Sequence, residues 1–129
     1  MAKKRILIID DEKDFTRLIK LNLEQTGEYE VREENEGVRS LYVAKEFKPD
    51  LILLDVLMPD IDGGDVCYQL KNDKDTGNIP VIFLTAAVNK EDIKKHGGIM
   101  GGHFFIAKPV EIKDLINFIE KNISKNPDI

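Results

Sequence analysis

The sequence has one cysteine, Cys67, and no long apolar run or block of like charges. A single thiol cannot build a disulfide framework, so we expect a reducing compartment, the cytoplasm. The net charge of −5 argues against nucleic acid or an acidic membrane as a direct partner, because both bind basic patches. The first apolar run, Ile6–Ile9, is far too short for a signal peptide or a membrane insertion.

The chain also lacks internal repeats, low-complexity segments and recognisable linkers. It has 129 residues, of which 42% are hydrophobic and 33% are charged. This is the size and composition of one globular domain with a real core. We therefore expect residues 1–129 to form a single domain whose core spans about residues 4–124.

What the sequence does contain is a series of short apolar runs bounded by turn residues, which are typical of strands buried on both faces. These runs are Ile6–Ile9, Leu51–Leu54, Pro80–Leu84 and Phe104–Ala107. The segment Tyr29–Arg32 alternates between apolar and polar residues and predicts a less buried strand.

Segments with helical spacing of apolar residues separate the strands. They predict helices at about Phe15–Leu23, Gly37–Phe47, Val66–Leu70, Lys90–His96 and Ile112–Ile123. Strands and helices thus alternate five times, which predicts an α/β fold with helices on both faces of a parallel sheet. Right-handed crossovers favour the strand order 2-1-3-4-5 of a flavodoxin-like, doubly wound sheet.

Polar residues follow four of these strands and converge at one edge of such a sheet. Asp10 and Asp11 follow strand 1, Asp55 ends strand 3, Thr85 ends strand 4, and Lys108 follows strand 5. Three close carboxylates repel one another unless a cation neutralises them. Because every available ligand is an oxygen, the sequence favours a hard cation, and Mg²⁺ is the natural candidate.

A magnesium ion beside a lysine and a hydroxyl group makes a site suited to a phosphoryl group. The metal and Lys108 would neutralise phosphoryl oxygens, and Thr85 would donate a hydrogen bond. A carboxylate can itself act as the nucleophile, and the product is then an acyl phosphate.

Taken together, these motifs resemble the receiver domain of two-component response regulators, of the kind found in chemotaxis regulators. The resemblance covers about residues 4–124, with every motif in order. It is carried by Asp10-Asp11, by Asp55 with Met58-Pro59 and Gly63, by Thr85-Ala86, and by Lys108-Pro109.

The resemblance implies that Asp55 accepts a phosphoryl group from a histidine kinase or a phosphotransfer protein. It also implies that Asp11, Asp55 and the backbone carbonyl of Leu57 bind Mg²⁺, with Asp10 helping through water. Such a domain is not an enzyme with turnover, since it catalyses only its own Mg²⁺-dependent phosphorylation and dephosphorylation.

By the same resemblance, Thr85 and Lys108 would contact the phosphoryl oxygens, and Thr85 and Phe105 would form a switch. The switch would change a surface that binds a downstream protein target. The peptide bond between Lys108 and Pro109 would be cis.

Two other classes of protein share parts of this pattern. A haloacid dehalogenase-like aspartyl-phosphate phosphatase also uses an aspartate nucleophile, but it needs a second aspartate two residues later, where this chain has Leu57. A flavodoxin-like binding module should have a phosphate loop rich in serine, threonine and glycine after strand 1. This chain has Asp11-Glu12-Lys13-Asp14 there, which would repel a phosphate unless metal were bound.

The segment before strand 5 departs from the family pattern, because it contains the pairs Gly97-Gly98 and Gly101-Gly102. We expect the preceding helix to be short and mobile at its end, with Ile99 and Met100 as its apolar anchors. His96 and His103 are interpreted as solvated loop residues. The chain ends soon after the last predicted helix, so we expect either a stand-alone regulator or a receiver from a larger protein.

Overall fold

The computed structural model describes residues 2–86, 99–100 and 103–123. The strands in these ranges are β1 (Lys4–Ile9), β2 (Tyr29–Glu34), β3 (Leu51–Asp55), β4 (Val81–Thr85), β5 (Ile99–Met100) and β6 (His103–Ala107). The α-helices are α1 (Lys13–Gln25), α2 (Ser40–Phe47), α3 (Gly63–Lys71) and α4 (Ile112–Ile123). A short 3₁₀ helix, Gly37–Arg39, leads into α2. None of these helices combines the length and the apolar character that a membrane span requires.

The strands form one sheet in the order β2-β1-β3-β4-β6-β5. All neighbouring pairs from β2 to β6 are parallel. This confirms the predicted flavodoxin-like order 2-1-3-4-5, in which β6 is the fifth predicted strand. The carboxyl ends of β1 and β3 are therefore adjacent, and those of β4 and β6 lie beside them on the same edge.

The outermost strand, β5, was not predicted. Its two residues pair antiparallel with β6, so that Ile99 faces Phe104 and Met100 faces His103. Ile99 and Met100 thus lie in a strand of the sheet, where we expected the end of a helix. The predicted helix at Lys90–His96 and both glycine pairs lie outside the described residues.

His103 also differs from the prediction. It lies in β6, not in a loop, and is only partly exposed. Its ring makes an edge-to-face contact with the ring of Phe83, with 5.5 Å between centroids. The imidazole therefore packs beside the aromatic residues of the sheet.

The sheet has a hydrophobic core on each face, because successive residues of a strand point to opposite sides. In β3, Leu51 and Leu53 join the cluster that packs under α1 and α4. Ile52 and Leu54 join the cluster under α2 and α3. Leu51–Leu54 are buried, as the continuous apolar run predicted, and Asp55 at the end of the strand is buried with them. The central position of β3 fixes the backbone from which Asp55 projects.

Gly63 brings the start of α3 close to the end of β3. Its N–H donates to the carbonyl of Val56 at 2.8 Å, and Asp62 caps the helix by accepting from the N–H of Gly64 at 2.7 Å. A Cβ atom at position 63 would lie 2.2 Å from the carbonyl oxygen of Asp55 and 2.8 Å from Cα of Val56. Both obstacles are backbone atoms, so a side chain here must displace either α3 or the strand end.

We therefore expect Gly63→Ala to lower the free energy of unfolding by about 1–3 kcal/mol, the usual cost of overpacking. Urea denaturation measures the change. Gly64→Ala is the matched control, since a Cβ at Gly64 comes no closer than 3.2 Å to the flexible carboxylate of Asp62. Equal stabilities of the two variants would show that the close approach at Gly63 is unimportant.

Candidate functional site

The predicted site residues meet in a cleft at the carboxyl edge of the sheet. Asp10 directly follows β1, Asp55 and Thr85 are the last residues of β3 and β4, and Lys108 directly follows β6. The residues that line the cleft are Asp11, Glu12, Asp55, Leu57, Thr85, Ala86 and Lys108. The strand order alone therefore assembles the constellation, as the sequence predicted.

Three carboxylates form the acidic part of the site. Asp10, Asp11 and Asp55 each place one oxygen so that all three atoms lie within 4.8 Å of one another. Asp10 is fully buried and Asp55 is 5% exposed. This set of closely spaced oxygen ligands fits Mg²⁺, which prefers carboxylates and keeps several water ligands.

The clustering of carboxylates affects the protonation of Asp55 in particular. Burial in the cleft and the negative charge of Asp10 raise the pKa of the Asp55 carboxyl from 3.8 to about 6. Lys108 and the backbone N–H of Leu57 oppose the shift without cancelling it. An ionised Asp55 is thus destabilised by its surroundings and would be relieved by a cation.

Lys108 is the positive group of the site. Its Nζ lies 2.6 Å from Oδ2 of Asp10, 2.7 Å from Oε1 of Glu12 and 3.9 Å from Oδ2 of Asp55. Burial alone would lower the pKa of Lys108, but the hydrogen bonds to Asp10 and Glu12 outweigh it and raise that pKa. The ammonium therefore stays charged near Asp55 at neutral pH.

Glu12 and Asn35 belong to the site but were not predicted to act there. Glu12 accepts a hydrogen bond from Lys108. Asn35, which follows β2, donates from Nδ2 to the backbone carbonyl of Asp10 at 2.8 Å and to Oγ1 of Thr16 at 3.0 Å. The position of Glu12 next to the acidic pair was the only sequence signal for its role, and nothing in the sequence pointed to Asn35.

Of the other predicted residues, Leu57 and Thr85 line the cleft, whereas Phe105 is not among its lining residues. Leu57 gives its backbone N–H to Asp55, while its side chain is 61% exposed. Thr85 is buried, and its carbonyl accepts from the N–H of Lys108 at 3.0 Å. Phe105 is partly exposed and stacks on Phe83 with 5.0 Å between ring centroids. The Lys108–Pro109 peptide bond is cis, as the resemblance implied.

The raised pKa of Asp55 predicts how stability depends on pH when Mg²⁺ is absent. The folded protein holds this proton more tightly than the unfolded chain, so the free energy of unfolding falls as pH rises from about 4 through 6. We expect Asp55→Asn to raise the free energy of unfolding at pH 7.5 by up to about 3 kcal/mol, with little effect near pH 4. Lys108 keeps Asp10 and Glu12 as partners in this variant.

Urea denaturation at the two pH values measures the effect. Asp65→Asn, on the exposed side of the first turn of α3, is the control and should change stability by less than about 0.5 kcal/mol. A destabilised Asp55→Asn variant at pH 7.5 would contradict the account of repulsion in the cluster.

Comparison with known proteins relates this chain to response regulators. The family model for the response regulator receiver domain matches residues 6–120. The DNA-binding dual master transcriptional regulator RpaA of Synechocystis is 38% identical over 112 residues, which cover 87% of this chain and 46% of that protein. The alkaline phosphatase synthesis transcriptional regulatory protein PhoP of Bacillus subtilis is 36% identical over 126 residues, which cover 98% of this chain and 50% of that protein.

A solved structure shows the same fold. The crystal structure of a response regulator from Desulfuromonas acetoxidans superposes with a TM-score of 0.80 at 28% identity, covering 95% of this chain and 98% of that one. The chain spans about half the length of the two curated relatives. These matches support a receiver domain and give no support to the phosphatase alternative.

Proposed function

The chain belongs to the response regulator receiver domain family, and on this premise we propose that Asp55 is its phosphoacceptor. The observation that carries the proposal is the position of Asp55. Its carboxylate is buried at the end of the central strand, within the carboxylate cluster and 3.9 Å from the ammonium of Lys108. A nucleophile and a phosphoryl-binding cation thus share one cleft.

In the proposed reaction, a carboxylate oxygen of Asp55 attacks the phosphorus of the donor and forms an acyl phosphate. The bond to the donor breaks, and the leaving group departs with the electron pair. Lys108 and the hydroxyl of Thr85 then bind oxygens of the transferred group. A histidine kinase or a phosphotransfer protein supplies the phosphoryl group, and the domain also catalyses loss of that group from itself.

Mg²⁺ fits the acidic cluster, and Asp11, Asp55 and the backbone carbonyl of Leu57 would hold it, with Asp10 acting through water. When bound, the ion would neutralise negative charge on the carboxylates and on the phosphoryl group. Asp10 is suited to the outer position because its Oδ2 forms an ion pair with Lys108 and its Oδ1 accepts from the N–H of Glu12.

We further propose that phosphorylation is read by a downstream protein through a switch that involves Thr85 and Phe105. The stacking of Phe105 on Phe83 gives this aromatic ring a defined position from which to move. Residues 1–129 act as one receiver domain with its core at about 4–124. The domain does not itself contact nucleic acid, in keeping with its net charge of −5, and it works in the cytoplasm.

Incubation with acetyl phosphate and Mg²⁺ tests the proposal. The intact mass should increase by one phosphoryl group, and chelation of Mg²⁺ should suppress the increase. A protein that gains no phosphoryl group under these conditions, although folded by circular dichroism, would refute the proposed function.

A further inference from the structure

The ammonium of Lys108 pairs more closely with two other carboxylates than with Asp55. It is 2.6 Å and 2.7 Å from the carboxylates of Asp10 and Glu12, but 3.9 Å from Asp55. The ammonium also lies 4.5 Å from the centroid of the Phe15 ring on α1. These contacts draw Lys108 toward the start of α1 and away from the nucleophile.

The carboxylate of Glu12 contacts Lys108 and does not cap α1. Glu12 occupies the N-cap position of α1, where a polar side chain usually accepts from the first turn of the helix, but it makes no such bond. Its carboxylate reaches across the cleft to Lys108 instead. The side chain of Glu12 is 62% exposed, whereas that of Lys108 is 11% exposed. Because the Glu12 end of this ion pair is open to water, the pair is weak and Lys108 can exchange Glu12 for a stronger acceptor.

We infer that Glu12 is a positioning residue that holds Lys108 in a resting place and competes with the incoming phosphoryl group for its ammonium. This inference rests on the proposed function, because it assumes that Asp55 is phosphorylated. Two carboxylates, those of Asp10 and Glu12, lie 2.6 Å and 2.7 Å from the ammonium of Lys108. Of these two acceptors, Asp10 is fully buried while Glu12 faces solvent, so Glu12 is the one that yields.

The competition predicts that loss of Glu12 accelerates phosphorylation. We expect Glu12→Ala to raise the rate constant for labelling by acetyl phosphate about two- to fivefold, the range that an exposed ion pair supports. A merely structural role would slow the reaction or leave it unchanged. Because Glu12 makes no capping bond and the variant loses only its solvent-facing ion pair with Lys108, it should unfold at nearly the same urea concentration as the wild-type protein.

Removing any negative charge near the cleft would repel the anionic donor less and could by itself raise the labelling rate. A charge-matched control is therefore needed. Asp14→Asn provides it, since Asp14 is exposed in the first turn of α1 and its loss changes the net charge equally. The inference predicts that Asp14→Asn is labelled at the wild-type rate, within about 1.5-fold.

The experiment compares labelling rates of the wild-type protein, Glu12→Ala and Asp14→Asn by intact mass at saturating Mg²⁺. Faster labelling of Glu12→Ala alone supports the inference. Equal acceleration of both variants would show that charge alone acts, and no acceleration of Glu12→Ala would show that Glu12 does not compete; either result overturns the inference while the proposed function stands. Failure of the wild-type protein to be labelled would refute the proposed function itself.

Discussion

Asp55→Asn is expected to abolish phosphoryl incorporation from acetyl phosphate. The amide is a far weaker nucleophile than the carboxylate, and it also removes one of the three charges that would hold Mg²⁺. Since the other two aspartates of the cluster follow a different strand, neither can take the position that Asp55 has at the end of β3. The intact mass of the variant should show no added phosphoryl group after an incubation that labels the wild-type protein fully.

Asp65→Asn is the control for this experiment, since it removes one exposed carboxylate from the neighbouring helix and leaves the cleft intact. It should be labelled like the wild-type protein. The pH-dependent stability described above adds a second check, because a gain in stability at pH 7.5 would prove that the unlabelled Asp55→Asn variant is folded. Equal labelling of Asp55→Asn and wild-type protein would place the phosphoacceptor elsewhere.

Asp11→Asn is expected to weaken Mg²⁺ binding at least about tenfold, since loss of even an outer contact to a metal commonly costs that much. Asp11 is the most exposed of the three clustered aspartates and is open to the cleft. The substitution leaves the buried pair of Asp10 and Lys108 untouched. Isothermal titration calorimetry with MgCl₂ measures the affinity directly.

The control for the metal titration is Asp14→Asn, which removes an acidic side chain three residues further along the chain, in the first turn of α1. Its affinity for Mg²⁺ should stay within about twofold of wild type, because an exposed charge outside the cluster is largely screened. If Asp11→Asn binds Mg²⁺ as tightly as the wild-type protein, Asp11 is not a ligand.

The carboxylate cluster could be predicted because its geometry follows from topology. Each residue is the polar end of a short apolar run, and parallel strands bring such ends to one edge of the sheet. Asp55 by itself could equally have been a solvated or capping residue; it was singled out because polar residues at the ends of three other strands were predicted to converge on it. The strand order then placed it beside Asp10 and Asp11 without any knowledge of side-chain positions.

The contact between Glu12 and Lys108 could not be predicted in this way. It depends on which way the Glu12 side chain turns at the start of α1, and a helix cap was an equally reasonable role for it. Asn35 reaches Asp10 across 25 positions of sequence, and no periodic pattern encodes that pairing. β5 is only two residues long, so it carries no periodicity, and His103 was misplaced because the extent of β6 depends on pairing with β4 and β5.

The most direct test of the central claim is to locate the phosphoryl group chemically. Borohydride reduces an aspartyl phosphate to homoserine, so treatment after incubation with acetyl phosphate and Mg²⁺ marks the acceptor for peptide mass spectrometry. The proposed function predicts homoserine at position 55 only, and none when Mg²⁺ is chelated. Homoserine at position 10 or 11, or an unchanged residue at position 55 in a labelled protein, would contradict it.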